Sequence, residues 1–369
     1  MNILINYPKY GESGPAFSLQ LTKGFVENGH TVYAVIGEGV ANEKEWYEVL
    51  PPQNICSINL HTNAGSSIGR IRAMLRVGIC EQRKVRKQFS GIVFDYDICT
   101  FYSKWTLFVN RIINKKKIVT ICHDPLPHSG ARTAIHDMMK YYKHSDEMFV
   151  LTDSFRKIAS QTYGIPLEKV HYVPHGRMDV YKKNAAFDML QELYKKKFHI
   201  LFFGRIEKYK GLSVLADAYE RLFKKYTDVE LTILGNGDFT PYAERYSALE
   251  NVHIENRYIK DEEVGNYFAL KNTIAVVPYI DATQSGVIPI AYEFGTPVVY
   301  SNVGGLKEQL DNGNIGVSYD DNSGEKLADA LMKIIGDEKA FEVQRNKMFT
   351  YRESLNWSNI AKRMLESMK

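Results

Sequence analysis

The stretch Tyr279-Ile-Asp-Ala-Thr-Gln-Ser-Gly-Val-Ile-Pro-Ile-Ala-Tyr-Glu-Phe-Gly-Thr-Pro-Val-Val-Tyr-Ser-Asn-Val-Gly-Gly-Leu-Lys-Glu308 decides how the rest of the chain is read. A short apolar run, Ala275 to Tyr279, predicts a buried strand, and Asp281 to Ser285 is a polar break. Gly286 to Phe294 then reads as a helix stopped by Gly295 and Pro297, with the next strand over Pro297 to Tyr300. Gly304-Gly305 turns the chain into a further helix near Leu306. Thr283, Gln284, Ser285 and Gly286 fall where a helix presents free backbone N–H groups and its positive dipole end. Such a start suits a phosphate, and an ordinary capped helix in a βαβ unit carries the same pattern.

Upstream, His199 to Phe203 predicts a strand, Gly204 to Gly211 a loop, and Leu212 to Tyr226 a helix. Arg205 and Lys210 flank the point where the chain leaves the strand, and two fixed cations beside backbone amides suit a diphosphate. Further strands follow at Glu230 to Leu234, before Gly235-Asn-Gly237-Asp238, and at Val252 to Glu255. The second leads past Tyr258 and Ile259 to a helix from Asp261. Ser323 to Lys369 reads as helical, with breaks near Gly336 and Asn356-Trp357.

The N-terminal half repeats the alternation. Asn2 to Asn6 is a strand, and a loop holds Gly11 and Gly14. A helix with Phe17, Leu21 and Phe25 at helical spacing precedes a strand over Thr31 to Ile36. The two glycines lie at the carboxyl end of the first strand, where parallel sheets bind ligands, and they serve a tight turn equally well. Their spacing is not G-x-G-x-x-G, so a nicotinamide dinucleotide gains no support. Lys117 to Cys122 predicts a strand ending at His123-Asp124-Pro, which puts His123 in the crevice as the candidate catalytic side chain. Residues 68–89 carry an apolar stripe of Ile68, Ile71, Leu75 and Ile79 among seven Arg and Lys. Such a helix either lies on anionic headgroups or turns its stripe to the core.

The chain has 369 residues, enough for two domains, and 44% hydrophobic with 24% charged residues is a globular composition. Residues 1–185 carry 24 Lys+Arg against 16 Asp+Glu, and the remainder 23 against 27, so a basic half precedes a mildly acidic one. The N-terminus reads as a first strand rather than a signal peptide, and no apolar run has the length of a membrane span. Cys56, Cys80, Cys99 and Cys122 form no metal or disulfide spacing, which predicts a reducing, cytoplasmic setting. The expected domains are 1–180, 181–350 and a C-terminal helix, 351–369, crossing back to the first, with residues 177–197 as a linker and hinge.

Taken together, the N-terminal glycine loop, His123-Asp-Pro, Gly204-Arg…Lys210-Gly, Gly235-x-Gly and Gly295-Thr-Pro-Val-Val…Gly-Gly-x-x-Glu308 resemble the retaining family-four (group 1) glycosyltransferases of GT-B fold. The resemblance implies two Rossmann-like α/β domains with parallel sheets facing across a cleft, and a nucleotide-sugar donor held mostly by the second domain. It implies Arg205 and Lys210 on the diphosphate, with the amides of Ser285, Gly286 and Val287, and backbone near Tyr258 and Ile259 on the base. It also implies His123 on the transferred sugar and Gly11 to Gly14 beside phosphate or acceptor. Many relatives carry two glutamates eight positions apart, where this chain has Ala282 and Ile290. Asp281 is the candidate substitute, and the run Gln284 to Val287 resembles a variant of the family without the pair.

The expected activity is transfer of a sugar to a saccharide or lipid-linked saccharide acceptor, as in bacterial surface polysaccharide synthesis. Arg, Lys and a helix N-terminus supply the charge, so neither a metal nor a further cofactor is expected beyond the nucleotide-sugar co-substrate. No nucleic-acid partner is expected, and the basic segment 68–89 is the candidate for peripheral contact with the inner face of the membrane. The alternatives are a catalytically silent GT-B protein and a sugar-nucleotide epimerase, hydrolase or sugar-phosphate synthase on the same fold.

Overall fold

A computed structural model describes residues 1–9, 14–61, 72, 75–101, 103–126, 138–184 and 186–369. The chain divides into two compact units, one of residues 1–176 and 356–369, the other of residues 177–355.

In the first unit the described residues form seven parallel strands: β1 (Asn2–Tyr7), β2 (Thr31–Gly37), β3 (Ile55–Ile58), β4 (Val93–Cys99), β5 (Asn114–Cys122), β6 (Glu147–Val150) and β7 (Val170–Tyr172). Their spatial order is β3-β2-β1-β4-β5-β6-β7. In the second unit β8 (Phe198–Phe203), β9 (Val229–Gly235), β10 (Val252–Asn256), β11 (Thr273–Val277), β12 (Val298–Ser301) and β13 (Val317–Tyr319) run β10-β9-β8-β11-β12-β13, again parallel. The inner strands are near-continuous apolar runs because helices cover both faces of such sheets. β8 is buried along almost its whole length and β11 along all of it. The strand order reverses direction between β1 and β4 in the first sheet and between β8 and β11 in the second. Those crevices, at the carboxyl ends of the strands, are where open α/β sheets take ligands.

Two assignments change in the folded chain. Residues 177–197 are not a free linker. Lys182 backbone lies so close to Gly265 that a β-carbon there would sit 2.4 Å from the Lys182 carbonyl oxygen. Asn184 N–H donates to Asn266 Oδ1 (2.9 Å), and Asn266 returns a bond to Asn184 Oδ1 (2.8 Å). The segment therefore packs onto the second unit and continues into helix Phe187–Leu193. At the other end, helix Trp357–Ser367 packs on helix Gly14–Glu27. Gly24 admits the Trp357 carbonyl, Asn28 Nδ2 donates to the Ser358 carbonyl (2.8 Å), and Trp357 meets Phe17 edge to face at 5.0 Å.

The second change concerns residues 68–89, of which 68–71 and 73–74 lie outside the described residues. The two described residues of the apolar stripe do not face the core: Leu75 is 55% exposed and Ile79 46% exposed. Val77–Glu81 is a π-helical turn running into helix Gln82–Gln88. A π turn is wider than an α turn, so positions four apart stay on one face. Val77, Val85 and Phe89 thereby join the core with Leu4, Val35, Ile58 and Phe94.

Candidate functional site

In the second unit, the loop after β8 and the loop after β11 meet at the switch point. Gly211 has φ +73°, and a β-carbon on it would lie 1.8 Å from the Pro278 carbonyl oxygen, so only glycine allows this approach. Ile280 N–H donates to the Tyr209 carbonyl (2.7 Å) and fixes the contact. Gly204 and Gly235 have positive φ as well, and Gly235 approaches the Gly204 carbonyl.

The Lys210 ammonium lies 3.7 Å from the centroid of the Tyr279 ring and 4.9 Å from that of Tyr209. Burial lowers its pKa from the ordinary lysine value, with the neighbouring Arg205 charge acting the same way. Arg205 is exposed and rests on Glu207 at 3.2 Å. The Tyr279 hydroxyl and Ser285 Oγ are 3.1 Å apart, and Ser285 Oγ accepts the Val287 N–H (3.3 Å).

This geometry corrects the reading of three free amides. Ser285 N–H donates to Gln309 Oε1 (2.7 Å), and Gln309 Nε2 donates to the Ser285 carbonyl (3.2 Å). Val287 N–H is taken by Ser285 Oγ. Ser285 is therefore held as a buried anchor of the helix start. Gly286, exposed at the head of helix Val287–Phe294, keeps the position expected of an anion contact.

The remaining predicted donor residues are scattered around this centre. Asp281 is exposed, and Ala282 and Ile290, the two positions where the resemblance led to the expectation of glutamates, are buried and apolar. Glu293, three positions beyond Ile290, is engaged elsewhere: Arg177 and Arg352 lie 3.9 and 3.7 Å from its carboxylate. Gln284 has a buried Oε1 that accepts no hydrogen bond among the described residues. Ile259 is buried beside the exposed Tyr258, so any base contact there falls to backbone. Sequence reasoning assigned no role to Tyr209, Tyr279 or Gln309. Tyr279 stands just past the end of β11 and Tyr209 lies beside Lys210 in the loop after β8, but Gln309 has no local signature.

In the first unit, Gly11 lies outside the described residues, and Gly14 is packed against Tyr7, where a β-carbon would sit 2.4 Å from the hydroxyl oxygen. His123 follows β5, stacks on Phe101 (3.9 Å) and meets Phe17 edge to face (4.7 Å). Burial, with His175 adding a smaller push, lowers its pKa to about 3. Its Nε2 is 3.0 Å from the Thr100 carbonyl. A carbonyl only accepts, so Nε2 carries the proton and Nδ1 is left as an acceptor. His175, after β7, is a second half-buried histidine, lowered to about 4 by desolvation, and its Nδ1 donates to the Gly176 carbonyl (2.7 Å). The pair Asp95-Tyr-Asp97 lies within β4. Asp95 holds Lys116 (2.7 Å), and Asp97 is buried between the amides of Asn6 and Asn110. Among the described residues no three His, Cys, Asp or Glu side chains gather as a metal-ligand set, and no helix is long and apolar enough to cross a membrane.

Residues 197–337 match the family model described as Glycosyl transferases group 1. Over 218 residues the chain is 30% identical to a D-inositol 3-phosphate glycosyltransferase of Paenarthrobacter aurescens (strain TC1), covering 56% of this chain and 53% of that protein. The chain thus spans about half the length of that relative. It is 20% identical over 317 residues to a lipopolysaccharide 1,2-N-acetylglucosaminetransferase of Salmonella typhimurium, covering 73% of this chain and 80% of that one. In fold it is similar to Anabaena Alr3699/HepE, solved in complex with UDP and glucose, with a TM-score of 0.72 at 15% identity over 100% of this chain and 99% of that one. The sheet orders and these similarities agree on the fold, which is GT-B, and residues 197–337 are similar to the group 1 glycosyl transferases.

Proposed function

We propose that the chain is a retaining glycosyltransferase that takes a sugar from a nucleotide-sugar donor and gives it to a saccharide or lipid-linked saccharide acceptor. The observation that carries this reading is the cluster of Lys210, Tyr279 and the head of helix Val287–Phe294 at the switch point of the second sheet. Breaking a sugar–diphosphate bond leaves negative charge on the departing nucleoside diphosphate, and fixed cations beside a helix start stabilise that charge as it develops. Lys210 and Arg205 are those cations, the Gly286 amide adds the dipole end, and no metal is needed to neutralise the leaving group. Gln284, with its buried open acceptor, is better placed than the exposed Asp281 to receive a hydroxyl of the donor. His123, neutral at physiological pH, offers Nδ1 to a hydroxyl of the sugar.

Screening UDP-, GDP-, ADP- and CMP-sugars for thermal stabilisation identifies the donor, since a ligand at a hundredfold its dissociation constant adds about 2.7 kcal/mol. Transfer measured with EDTA present, and the anomeric configuration of the product by NMR, then test metal independence and retention. Arg205→Ala and Lys210→Ala that both keep wild-type donor affinity would overturn the assignment. The buried Ala282 and Ile290 favour one competing reading, a donor-binding protein without transfer. It is separated by donor binding in calorimetry with no sugar transferred to any acceptor.

The exposed Leu75 and Ile79, beside exposed Arg72, Arg83, Lys84, Arg86 and Lys87, favour peripheral contact with anionic lipid. Sedimentation with phosphatidylglycerol vesicles against phosphatidylcholine vesicles tests it. Equal partitioning to both, unaffected by Leu75→Ser with Ile79→Ser, removes the membrane from the account.

A further inference from the structure

Resting on the diphosphate reading above, we propose that Tyr279 is the positioning residue of that site. Its ring face holds the Lys210 ammonium, and its hydroxyl fixes Ser285 at the head of helix Val287–Phe294.

Four contacts converge on this one buried residue, three of them on its side chain. Lys210 Nζ sits 3.7 Å above its ring centroid, and Tyr209 packs edge to face against it at 6.0 Å. Its hydroxyl is 3.1 Å from Ser285 Oγ, the atom that caps Val287. Its carbonyl accepts from Ser301 Oγ at 2.6 Å, which pins the backbone to the end of β12. Burial pushes the phenol up to about 12, with the Ser285 bond and the Arg205 charge pulling it back, so it stays a protonated donor at any physiological pH.

The chemistry explains why an aromatic serves here. A lysine has a long, flexible stem, and a phosphate site gains from having its head held before the ligand arrives. A carboxylate would hold the head as well, but the phosphate would then have to displace it. Arg205 on Glu207 is in that position. A ring face attracts the ammonium through its quadrupole and leaves the full positive charge available. Through the same residue, the cation of the β8 loop and the helix start after β11 keep one spacing, which is what a diphosphate spanning both requires.

The test is calorimetric titration of the full chain with inorganic diphosphate and with UDP, using Lys210→Ala, Tyr279→Phe, Tyr279→Leu and the Lys210→Ala/Tyr279→Leu double variant. Lys210→Ala should weaken diphosphate binding about 10- to 100-fold, as expected for a lost charge-assisted hydrogen bond. Tyr279→Leu, which removes ring and hydroxyl, should weaken it about 10-fold, and Tyr279→Phe, which removes only the hydroxyl, about 3-fold. Because the ring acts through Lys210 and the hydroxyl through Ser285, the double variant should bind only about threefold more weakly than Lys210→Ala alone, not about tenfold.

The alkaline loss of binding gives a second readout. The groups facing Lys210 are Arg205, Glu207 and Tyr209 on its own loop and Tyr279 across from it. Without the ring the ammonium is less supported, so the midpoint should fall to lower pH in Tyr279→Leu and stay in place in Tyr279→Phe. A Tyr279→Leu protein with wild-type affinity, or a double variant whose loss is the product of the single losses, overturns the positioning role. Wild-type affinity in Lys210→Ala instead overturns the diphosphate reading beneath it, and the two failures are therefore distinct.

Discussion

Lowering the pH from 7 to 5 should destabilise the first unit, and His123 sets the size of the effect. Its imidazole is held neutral by burial with a pKa of about 3, and His175 is held at about 4. In the unfolded chain both titrate near 6.5, so below that pH the unfolded state binds protons that the folded state refuses, and stability falls. Integrating between pH 7 and 5 gives a loss of about 2 kcal/mol for each histidine. One group opposes this. Asp97 is raised to about 6 by burial, against the amides of Asn110 and Asn6 and the charge of Lys115. Its folded form takes up a proton before the unfolded form does, which returns about 1.3 kcal/mol over the same window. These three groups together should therefore cost the wild-type unit about 2 to 3 kcal/mol. The informative quantity is the difference from His123→Gln, which should lose about 2 kcal/mol less than wild type on the same acidification. Urea unfolding at both pH values measures it. An equal loss in variant and wild type, within about 0.5 kcal/mol, would refute the claim that His123 is folded in its neutral form. The same neutrality predicts that any acid limb of activity between pH 5 and 7 does not come from His123.

Three further outcomes follow from close packing around the candidate site. Gly211→Ala should destabilise the second unit by about 3 kcal/mol or more, since a β-carbon meets the Pro278 carbonyl at 1.8 Å on a backbone with φ +73°. Denaturant unfolding that shifts by less than about 1 kcal/mol would show that the two loops separate readily. Ile290→Glu, which places a carboxylate where the resemblance led to the expectation of one, should cost about 3 kcal/mol or more because the position is buried and apolar. A tolerated substitution with improved donor affinity would show instead that the position opens to the ligand. Gln309→Ala should cost about 1 to 3 kcal/mol by leaving the Ser285 N–H without its acceptor, and Gln309→Glu, which keeps an acceptor, should recover part of it. Equal melting temperatures for wild type and Gln309→Ala would remove Gln309 from the anchor.

Alternation of apolar strands with amphipathic helices, from Asn2 through Tyr319, was enough to specify parallel α/β sheets, because strand and helix periods are local properties of the chain. The same locality placed Arg205, Lys210, His123 and Gly286 at strand or helix ends, where α/β sheets bind ligands. The apolar stripe of residues 68–89 left core and surface readings both open for a related reason. Its period is local, but a π turn at Val77–Glu81 and the strands beneath it decide which positions go inward. Which cation pairs with a carboxylate was also beyond the sequence: Arg205 rests on Glu207, whereas Lys210 lies over an aromatic ring 69 positions away in the chain and bonds the Tyr209 side chain. Ser285 shows the same limit. As a helix-start residue it promised a free amide, and only the fold brings Gln309 from the next helix to take it. Sequence determined the kinds of group available and the edge of the sheet on which they stand. Tertiary structure decided which of them remain open to a ligand, because that depends on partners brought together by the strand order rather than by the order of the chain.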